Sequence, residues 1–575
     1  MSLEIPVVRH ETDVLIIGGG AAGTMAAFEC AEAGVAVIQV TKGRATSGTT
    51  TVARGGFAAA LGDDDSPELH LQDILKYGGE LIDPELARVW VYDIIDVVRD
   101  LESWGAEFIR DKNGKIDLKE FPSHSRNRAC HHYDTTGNMV TKVLSKKLRA
   151  DARIAKHSIT AIVDLIKQDG QVVGAWGVDY QNGTLVTYHA QQIILATGGG
   201  SGLFYVNDNP PQVTGDGYVL GFRAGVPLLG IEMIDFQAMC CSPKELFGFA
   251  PHPTGFINAG AVFKNQEGEE FLKRYFPDTA EQSTRSEVIL AMAKEIHAGR
   301  AGLTGGIYMD ATKVPMEVIQ KQIPHVYKTC MHRGIDISKT PLEVAPGSHT
   351  WLGGLEVDID GKTPVEGLFA AGETAGGIHG GNRIGGSALS ASLVYGRRAG
   401  RKAAALVKRG KAAMATDDAI PPAERDWLAG LIDRDGGPLQ SEVRMQCRML
   451  AHNKLGSIRD ERTLKEALAE YRRIEREDVS AMRLDEKARA SAKKRGEELE
   501  SALSVRNLAL LGRVLATAAL HRTESRGAHF RLDYPDTDEK RWRVVTRLEA
   551  GPSGGIAFHT DPVKQTPATA GVAAT

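Results

Sequence analysis

The sequence predicts an α/β fold interrupted by an inserted α+β domain and closed by a helical bundle. Three observations carry this. Between residues 13 and 40 an apolar run, a glycine-rich turn, a helical stretch and a second apolar run follow in order. The glycine-rich texture returns at 345–400, after a stretch, 236–344, that lacks it. Residues 411–540 are helix-forming and heavily charged, with Leu and Ala at helical spacing.

Asp13-Val14-Leu15-Ile16-Ile17 suits a strand buried on both faces. Gly18-Gly19-Gly20-Ala21-Ala22-Gly23 follows at once, then a helix over 24–33 closed by Gly34, then a second strand over 35–40. In that context Gly18 permits a tight turn, Gly20 lets backbone approach a pyrophosphate, and Gly23 lets helix and strand pack closely. The helix N-terminus then presents free N–H groups to phosphate. The domain is therefore Rossmann-like. Thr41 and Lys42 stand where an acidic residue usually meets the ribose of NAD. The strand ending Ala196-Thr197-Gly198-Gly199 and the distant block Gly367-Leu368-Phe369-Ala370-Ala371-Gly372-Glu373 favour FAD, a cofactor long enough to need a second binding segment.

Further along, residues 75–110 predict helix, and 159–195 predict strands with a turn at Asn182-Gly183. Residues 240–330 mix loops, a short strand and amphipathic helices. The expected domains are 1–235 (FAD-binding, first part), 236–344 (capping), 345–410 (FAD-binding, second part), 411–540 (helical) and 541–575, a loosely held tail.

Composition narrows the function. Among 575 residues, 69 basic and 73 acidic residues leave a net charge of −4, which argues against nucleic acid as the partner. The 63 glycines suggest many positions where backbone approaches a ligand closely. Six cysteines without a C-x-x-C pair encode neither a zinc site nor a cysteine-ligated cluster, and Cys240-Cys241 reads as a pair of small buried residues. The first residues lack a secretory pattern and no run of about 18 apolar residues occurs, so a cytoplasmic location without membrane insertion is expected.

The sequence resembles the flavoprotein subunit family of succinate dehydrogenase and fumarate reductase, which includes L-aspartate oxidase and the adenylylsulfate reductase flavoprotein. The segments that carry the resemblance are residues 18–23, Thr51-Val52-Ala53-Arg54-Gly55-Gly56, Thr214-Gly215-Asp216-Gly217, residues 367–373 and the run 379–389, His-Gly-Gly-Asn-Arg-Ile-Gly-Gly-Ser-Ala-Leu. Two more lie near the C-terminus, residues 522–529 and Asp533-Tyr534-Pro535-Asp536. The matches span residues 12–542.

The resemblance implies FAD held by Glu373 at the ribose, with Ser387 and Leu389 beside the isoalloxazine ring. The full expected cofactor set is Gly18, Gly20, Ala22, Gly23, Thr41, Lys42, Thr49, Thr50, Gly55, Gly56, Ala196, Thr197, Gly198, Asp216, Glu373, Arg383, Ser387, Ala388 and Leu389. Thr49 stands where many relatives link FAD through a histidine, so the FAD is expected to be non-covalent. His349 and Arg383 match the residues that bind a substrate carboxylate, and Arg285 matches the proton-donating arginine. Such a cation clamp orients substrate and stabilises developing enolate-like charge. The implied reaction moves a hydride between flavin N5 and a CH–CH or C=C bond beside a carboxylate.

The sequence departs from the family in the cap. His252-Pro253-Thr254-Gly255 is displaced from Gln237, and the Thr-Glu segment that helps hold a second carboxylate is missing. The substrate is thus expected to carry a carboxylate without necessarily being a four-carbon dicarboxylate. His252 remains a candidate at the site, and His131-His132 are candidates for reaching it. Two alternatives stay open: a flavoenzyme with amino-acid oxidase or adenylylsulfate reductase chemistry, and an electron-transfer subunit. With no cluster of its own encoded, the chain would need an iron–sulfur or other electron-transfer protein as partner.

Overall fold

The computed structural model describes residues 5–44, 47–121, 123–133, 135–251, 253–283, 285–410 and 420–564. A seven-stranded sheet forms its centre, in the order Ile154–Ser158, Val37–Thr41, Val7–Ile17, Thr184–Leu195, Gln171–Asp179 and Thr160–Gln168. The seventh strand, Leu368–Ala370, pairs in parallel with Thr184–Leu195. Val7–Ile17 is longer than the apolar run that announced it, because it pairs in parallel with Thr184–Leu195 along its whole length. The turn at Asn182-Gly183 forms, with Gly183 at φ 68°. A second hairpin, at Asp169-Gly170, divides what the sequence merged.

The fingerprint helix, Ala21–Glu32, is buried on nearly every side. Its outer face meets the helix Ser387–Arg409. A Cβ on Gly396 would lie 2.2 Å from the Ala22 carbonyl oxygen, so these two backbones touch. The helical expectation over 75–110 resolves into Pro67–Tyr77 and Pro84–Ser103. Gly78 and Gly79 end the first. Asp83 caps the second by accepting from the Glu85 N–H, with Pro84 at its first position.

The cap contains a four-stranded antiparallel sheet, ordered Ile234–Cys241, Leu342–Trp351, Ile307–Asp310 and Val262–Lys264. Two expected boundaries, 235/236 and 344/345, therefore fall inside strands. The reason is physical: these strands run unbroken from the cap to the cavity, and a glycine-texture change does not mark where a ladder stops. Cys240 and Cys241 are buried in the first of these strands, and burial pushes both thiols up.

The C-terminal part packs Pro422–Asp433, Gln440–Lys454 and Glu461–Arg473 around Ala492–His521. Among the described residues, this last helix alone is long and apolar enough to cross a membrane; 83% of its most apolar window is buried within the fold. The expectation of a loose tail from 541 onward is corrected for residues 541–564; the rest of the expected tail, 565–575, lies outside the described residues. Val544–Ala550 and Ile556–Pro562 form a hairpin that continues a sheet through Leu228–Leu229 and Gly354–Leu355. Leu548 is wholly buried there, which is what holds a segment of otherwise loop-like composition.

Candidate functional site

A cavity of about 1010 Å³ lies between the fingerprint, the cap and the loop 379–389. Its wall includes Gly18, Gly20, Ala22, Thr41, Lys42, Thr49, Thr50, Gly55, Gly56, Ala196, Thr197, Gly198, Asp216, Glu373, Arg383, Ala388 and Leu389. Gly23 lies behind this wall: a Cβ there would meet the Gly18 carbonyl oxygen at 2.2 Å, so it serves helix–strand packing. Ser387 is also absent from the wall. It is buried at the start of its helix, and its Oγ has no hydrogen-bond partner among the described residues.

The polar residues of the fingerprint side are largely occupied. The Thr41 hydroxyl donates to the Gly43 carbonyl at 2.7 Å. Lys42 lies 3.0 Å from Asp216 and 2.8 Å from Glu500, and donates to Thr214. Lys42 and Asp216, both expected at the cofactor, hold each other. Burial works against the charged form of each. The opposite charges outweigh it, so the partner carboxylates raise the lysine above its usual range and the lysine lowers Asp216. Thr49 donates to Asn209 Oδ1 at 2.8 Å, and Asn209 Nδ2 donates to the His349 carbonyl at 2.8 Å.

His349 comes from the cap strand Leu342–Trp351 and Arg383 from the glycine-rich loop; both line the cavity. Each faces a carboxylate. His349 Nδ1 lies 2.7 Å from Asp208 Oδ2, and Arg383 Nη2 lies 3.1 Å from Asp235 Oδ2. An ionised carboxylate only accepts, so Nδ1 carries the proton and Nε2 is left for a ligand. Arg383 is only 8% exposed, and its Nε has no partner among the described residues. His379, at the start of the loop, is driven down to about 3 by burial and by the nearby Arg383 charge, so it stays neutral.

The loop is fastened from several directions. Gly381 N–H donates to the Gly78 carbonyl, and the Gly381 carbonyl accepts from Ala528 N–H at 2.8 Å. His124 Nε2 lies 2.9 Å from the Gly385 carbonyl, and Ala58 N–H donates to the Gly386 carbonyl. The C-terminal run 522–529 thus acts on the site as a prop.

His131 and His132 do not line the cavity. His131 is buried with Nε2 3.3 Å from Asp117, and His132 Nδ1 meets the Glu107 carbonyl. His252 lies outside the described residues. The helix Arg285–His297 begins at Arg285, and Ser286 and Val288 of that helix line the cavity. Sequence reasoning missed Asp208, Asn209 and Asp235. Asp208 and Asn209 sit in an unremarkable polar run before two prolines, and Asp235 in an apolar strand, so no local signal marked them.

Comparison with known proteins agrees with this geometry. A sequence-family model described as FAD binding domain matches residues 13–389, and one described as fumarate reductase flavoprotein C-term matches residues 444–572. The chain is 34% identical over 555 residues to a subunit of the fumarate reductase (CoM/CoB) of Methanothermobacter marburgensis, covering 92% of this chain and 95% of that one. It is 31% identical to L-aspartate oxidase of Streptomyces coelicolor, covering 97% and 94%. Among solved structures, Mycobacterium smegmatis Sdh1 in complex with UQ1 superposes with a TM-score of 0.89 at 33% identity, covering 97% and 95%. The chain belongs to the succinate dehydrogenase and fumarate reductase flavoprotein family. It is an FAD-dependent oxidoreductase.

The residues of this flavoprotein fit FAD on physical grounds. A Cβ on Gly20 would meet nothing nearer than Thr50 Oγ1 at 3.5 Å, so the protein itself does not demand glycine there; a ligand against the backbone would. Glu373 stands with Oε1 accepting from the Trp351 N–H at 2.9 Å. Withdrawal from water raises its carboxyl from the usual 4.5 to about 7. Ribose hydroxyls donating to it would restore the lost hydration.

That shift gives a pH prediction for the flavin-free protein. Between 4.5 and about 7 the folded chain keeps a proton on Glu373 that the unfolded chain has lost. Folding stability therefore falls as pH rises through this window, and Glu373→Gln flattens the fall. Urea midpoints of both apoproteins across the window check this; equal slopes would contradict it.

Proposed function

We propose that this flavoprotein oxidises or reduces a carbon–carbon bond beside a carboxylate. The observation that carries the reading is that His349 and Arg383, from separate elements, bring an imidazole and a guanidinium to the same cavity that the fingerprint opens into. Bound FAD supplies the hydride-transfer chemistry. Arg383 offers a fork of N–H groups to the cavity, which suits a carboxylate, and His349 lines the same cavity, where Nε2 would donate to a carboxylate from the imidazolium form. Asp208 fixes the orientation of that imidazole, and Asp235 that of the guanidinium. Together they hold the substrate in one orientation and offset charge that develops on its carboxylate. Arg285 is the proton donor in this reading, supported by its place at the head of a helix whose next residues line the cavity. Arg285→Ala should keep FAD and lose turnover by at least about 100-fold, the scale of a general-acid contribution. Unchanged turnover would remove Arg285 from the mechanism.

The FAD is held without a covalent bond, because Thr49 offers a hydroxyl that is engaged by Asn209. Acid precipitation should therefore leave all flavin in the supernatant; yellow colour in the pellet would contradict this. Electrons pass to or from a separate electron-transfer protein, a reading supported by a relative whose name makes it one component of a larger enzyme.

A second reading, amino-acid oxidation, is favoured by Asp208, a carboxylate on the cavity wall able to accept from an ammonium group, and by the L-aspartate oxidase relative. Rapid hydrogen peroxide formation with L-aspartate in air would select it.

A further inference from the structure

We propose that His124 is a positioning residue for the reaction: it holds the Gly385-Gly386 turn, and through it Arg383, only while its imidazole is neutral, so that turnover fails in acid. This rests on reading Arg383 as a carboxylate clamp.

The turn after Arg383 needs outside support. Gly385 and Gly386 bring no side chains of their own, and Gly386 has φ 76°. Arg383 lies between two tethers. Gly381 N–H donates to the Gly78 carbonyl on one side, and the Gly385 carbonyl lies 2.9 Å from His124 Nε2 on the other. The first tether is made by backbone alone, whereas the second runs through a titratable ring. The segment that carries His124 also forms cavity wall, through Phe121 and Ser123. A Cβ on Gly385 would lie 3.2 Å from the Phe121 ring, so ring and turn are in close contact.

The neighbours of His124 fix where its proton sits. Nδ1 lies 3.2 Å from Arg128 Nη1, and a guanidinium only donates, so Nδ1 accepts. A carbonyl only accepts, so Nε2 carries the hydrogen and donates to Gly385. Both contacts demand the same neutral tautomer. Arg128 is wholly buried and cannot move aside: its Nε and Nη2 each donate to Asp65 at 2.7 Å, and its Nη1 pairs with Asp73. A proton on Nδ1 would set a donor against a donor and a charge against a like charge. Among the described residues, the ionisable groups that face the ring are Arg128 on its own segment, Asp65, and Asp73 and His70 from the helix Pro67–Tyr77. The His70 ring lies 5.6 Å away and is itself kept neutral by burial. The loop 379–389 meets His124 through a backbone carbonyl. Burial, with the Arg128 charge, holds His124 below the ordinary histidine range, and outweighs the Gly385 carbonyl, Asp73 and Asp65. The contact with Gly385 is thus whole at neutral pH and is lost as pH falls through that lowered range.

The test uses holoenzyme and two readouts, taken between about pH 4.5 and 8 to bracket a depressed histidine. Hydrogen exchange of the 379–389 peptide, corrected for the intrinsic rate, reports the turn. Reoxidation of the reduced flavin by fumarate reports the site. At neutral pH His124→Leu, which removes both contacts and keeps bulk, should lower kcat/KM for fumarate about 10-fold with FAD still bound, the scale of one buried acceptor left unpaired. His124→Gln does not titrate and its amide can donate to the same carbonyl, so it should recover to within about threefold of wild type. The ratio of wild type to His124→Gln should then fall at least about threefold towards the acid end, because Glu373 and His349 titrate in both proteins and cancel. Exchange of the peptide should quicken in acid in wild type, at every pH in His124→Leu, and at neither end in His124→Gln. A merely structural histidine would change flavin content or melting temperature and leave that ratio flat. A flat ratio, or full kcat/KM in His124→Leu, would overturn the proposal and leave the clamp reading standing. Should His124→Leu lose its flavin, the ratio decides alone. Fumarate without effect on wild-type flavin at any pH would overturn the clamp reading and this role with it.

Discussion

Arg383→Ala should lower turnover by about 1,000-fold or more while FAD remains bound, because the variant removes charge stabilisation made at the reacting end of the substrate. Arg383 combines three properties that few residues here share. It lines the cavity, it is almost fully withdrawn from water, and its Nε donor has no partner among the described residues. The same variant leaves Asp235 without its guanidinium, and loss of one partner of a buried pair costs about 3 kcal/mol or more of stability. Kinetics must therefore be read below the lowered melting temperature, with flavin content measured alongside. Arg383→Lys separates the two effects. It keeps a charge for Asp235 but lacks the planar fork, so stability should recover further than turnover. Turnover within tenfold of wild type in Arg383→Ala would remove the clamp from the mechanism.

Gly18→Ala should prevent folding of the FAD domain, whereas Gly20→Ala should fold and fail to hold flavin. The two glycines share one fingerprint but differ in what surrounds them. Gly18 has φ 130°, and a Cβ on it would sit 2.0 Å from the Ala196 carbonyl oxygen, where Val7–Ile17 meets Thr184–Leu195. Neither a backbone atom in the central sheet nor that φ can give way cheaply, so a loss of about 4 kcal/mol or more is expected. Gly20 has φ −77° and open space towards the cavity. Alanine there should leave the apoprotein within about 0.5 kcal/mol of wild type, as for a substitution that breaks no contact. Its methyl group would instead occupy the space of a phosphate. Circular dichroism and flavin content of the purified variants check both halves. Normal flavin content in Gly20→Ala would show that the cofactor does not lie against this turn.

The contrast also shows what a sequence makes legible. Gly18, Gly20 and Gly23 announced a turn, a ligand approach and a packing contact, because each of these is a backbone requirement that only glycine satisfies. The strand–turn–helix–strand order was legible for the same reason: its apolar runs and its turn are local. The helix break at 78–83 was visible as Gly78, Gly79 and Pro84, yet the continuous apolar periodicity on either side masked it. The terminal hairpin was not legible, because its stability comes from Leu228–Leu229, more than 300 positions earlier in the chain. The carboxylates of the site fall in the same class. Asp208 meets a histidine 141 positions away and Asp235 an arginine 148 positions away. Nothing in local spacing encodes such a meeting, and both residues are chemically ordinary until the fold sets them against His349 and Arg383.

On the proposed reading, a carboxylate-bearing carbon–carbon bond exchanges electrons with the FAD held in this cavity. The most direct measurement reduces the purified holoenzyme's flavin anaerobically, adds fumarate, and follows the flavin absorbance. The expected result is rapid return of the oxidised spectrum with one succinate formed per flavin, and loss of that response in Arg383→Ala. A flavin that stays reduced with fumarate and with other α,β-unsaturated acids, yet reoxidises with adenylylsulfate or only through a partner protein, would contradict it.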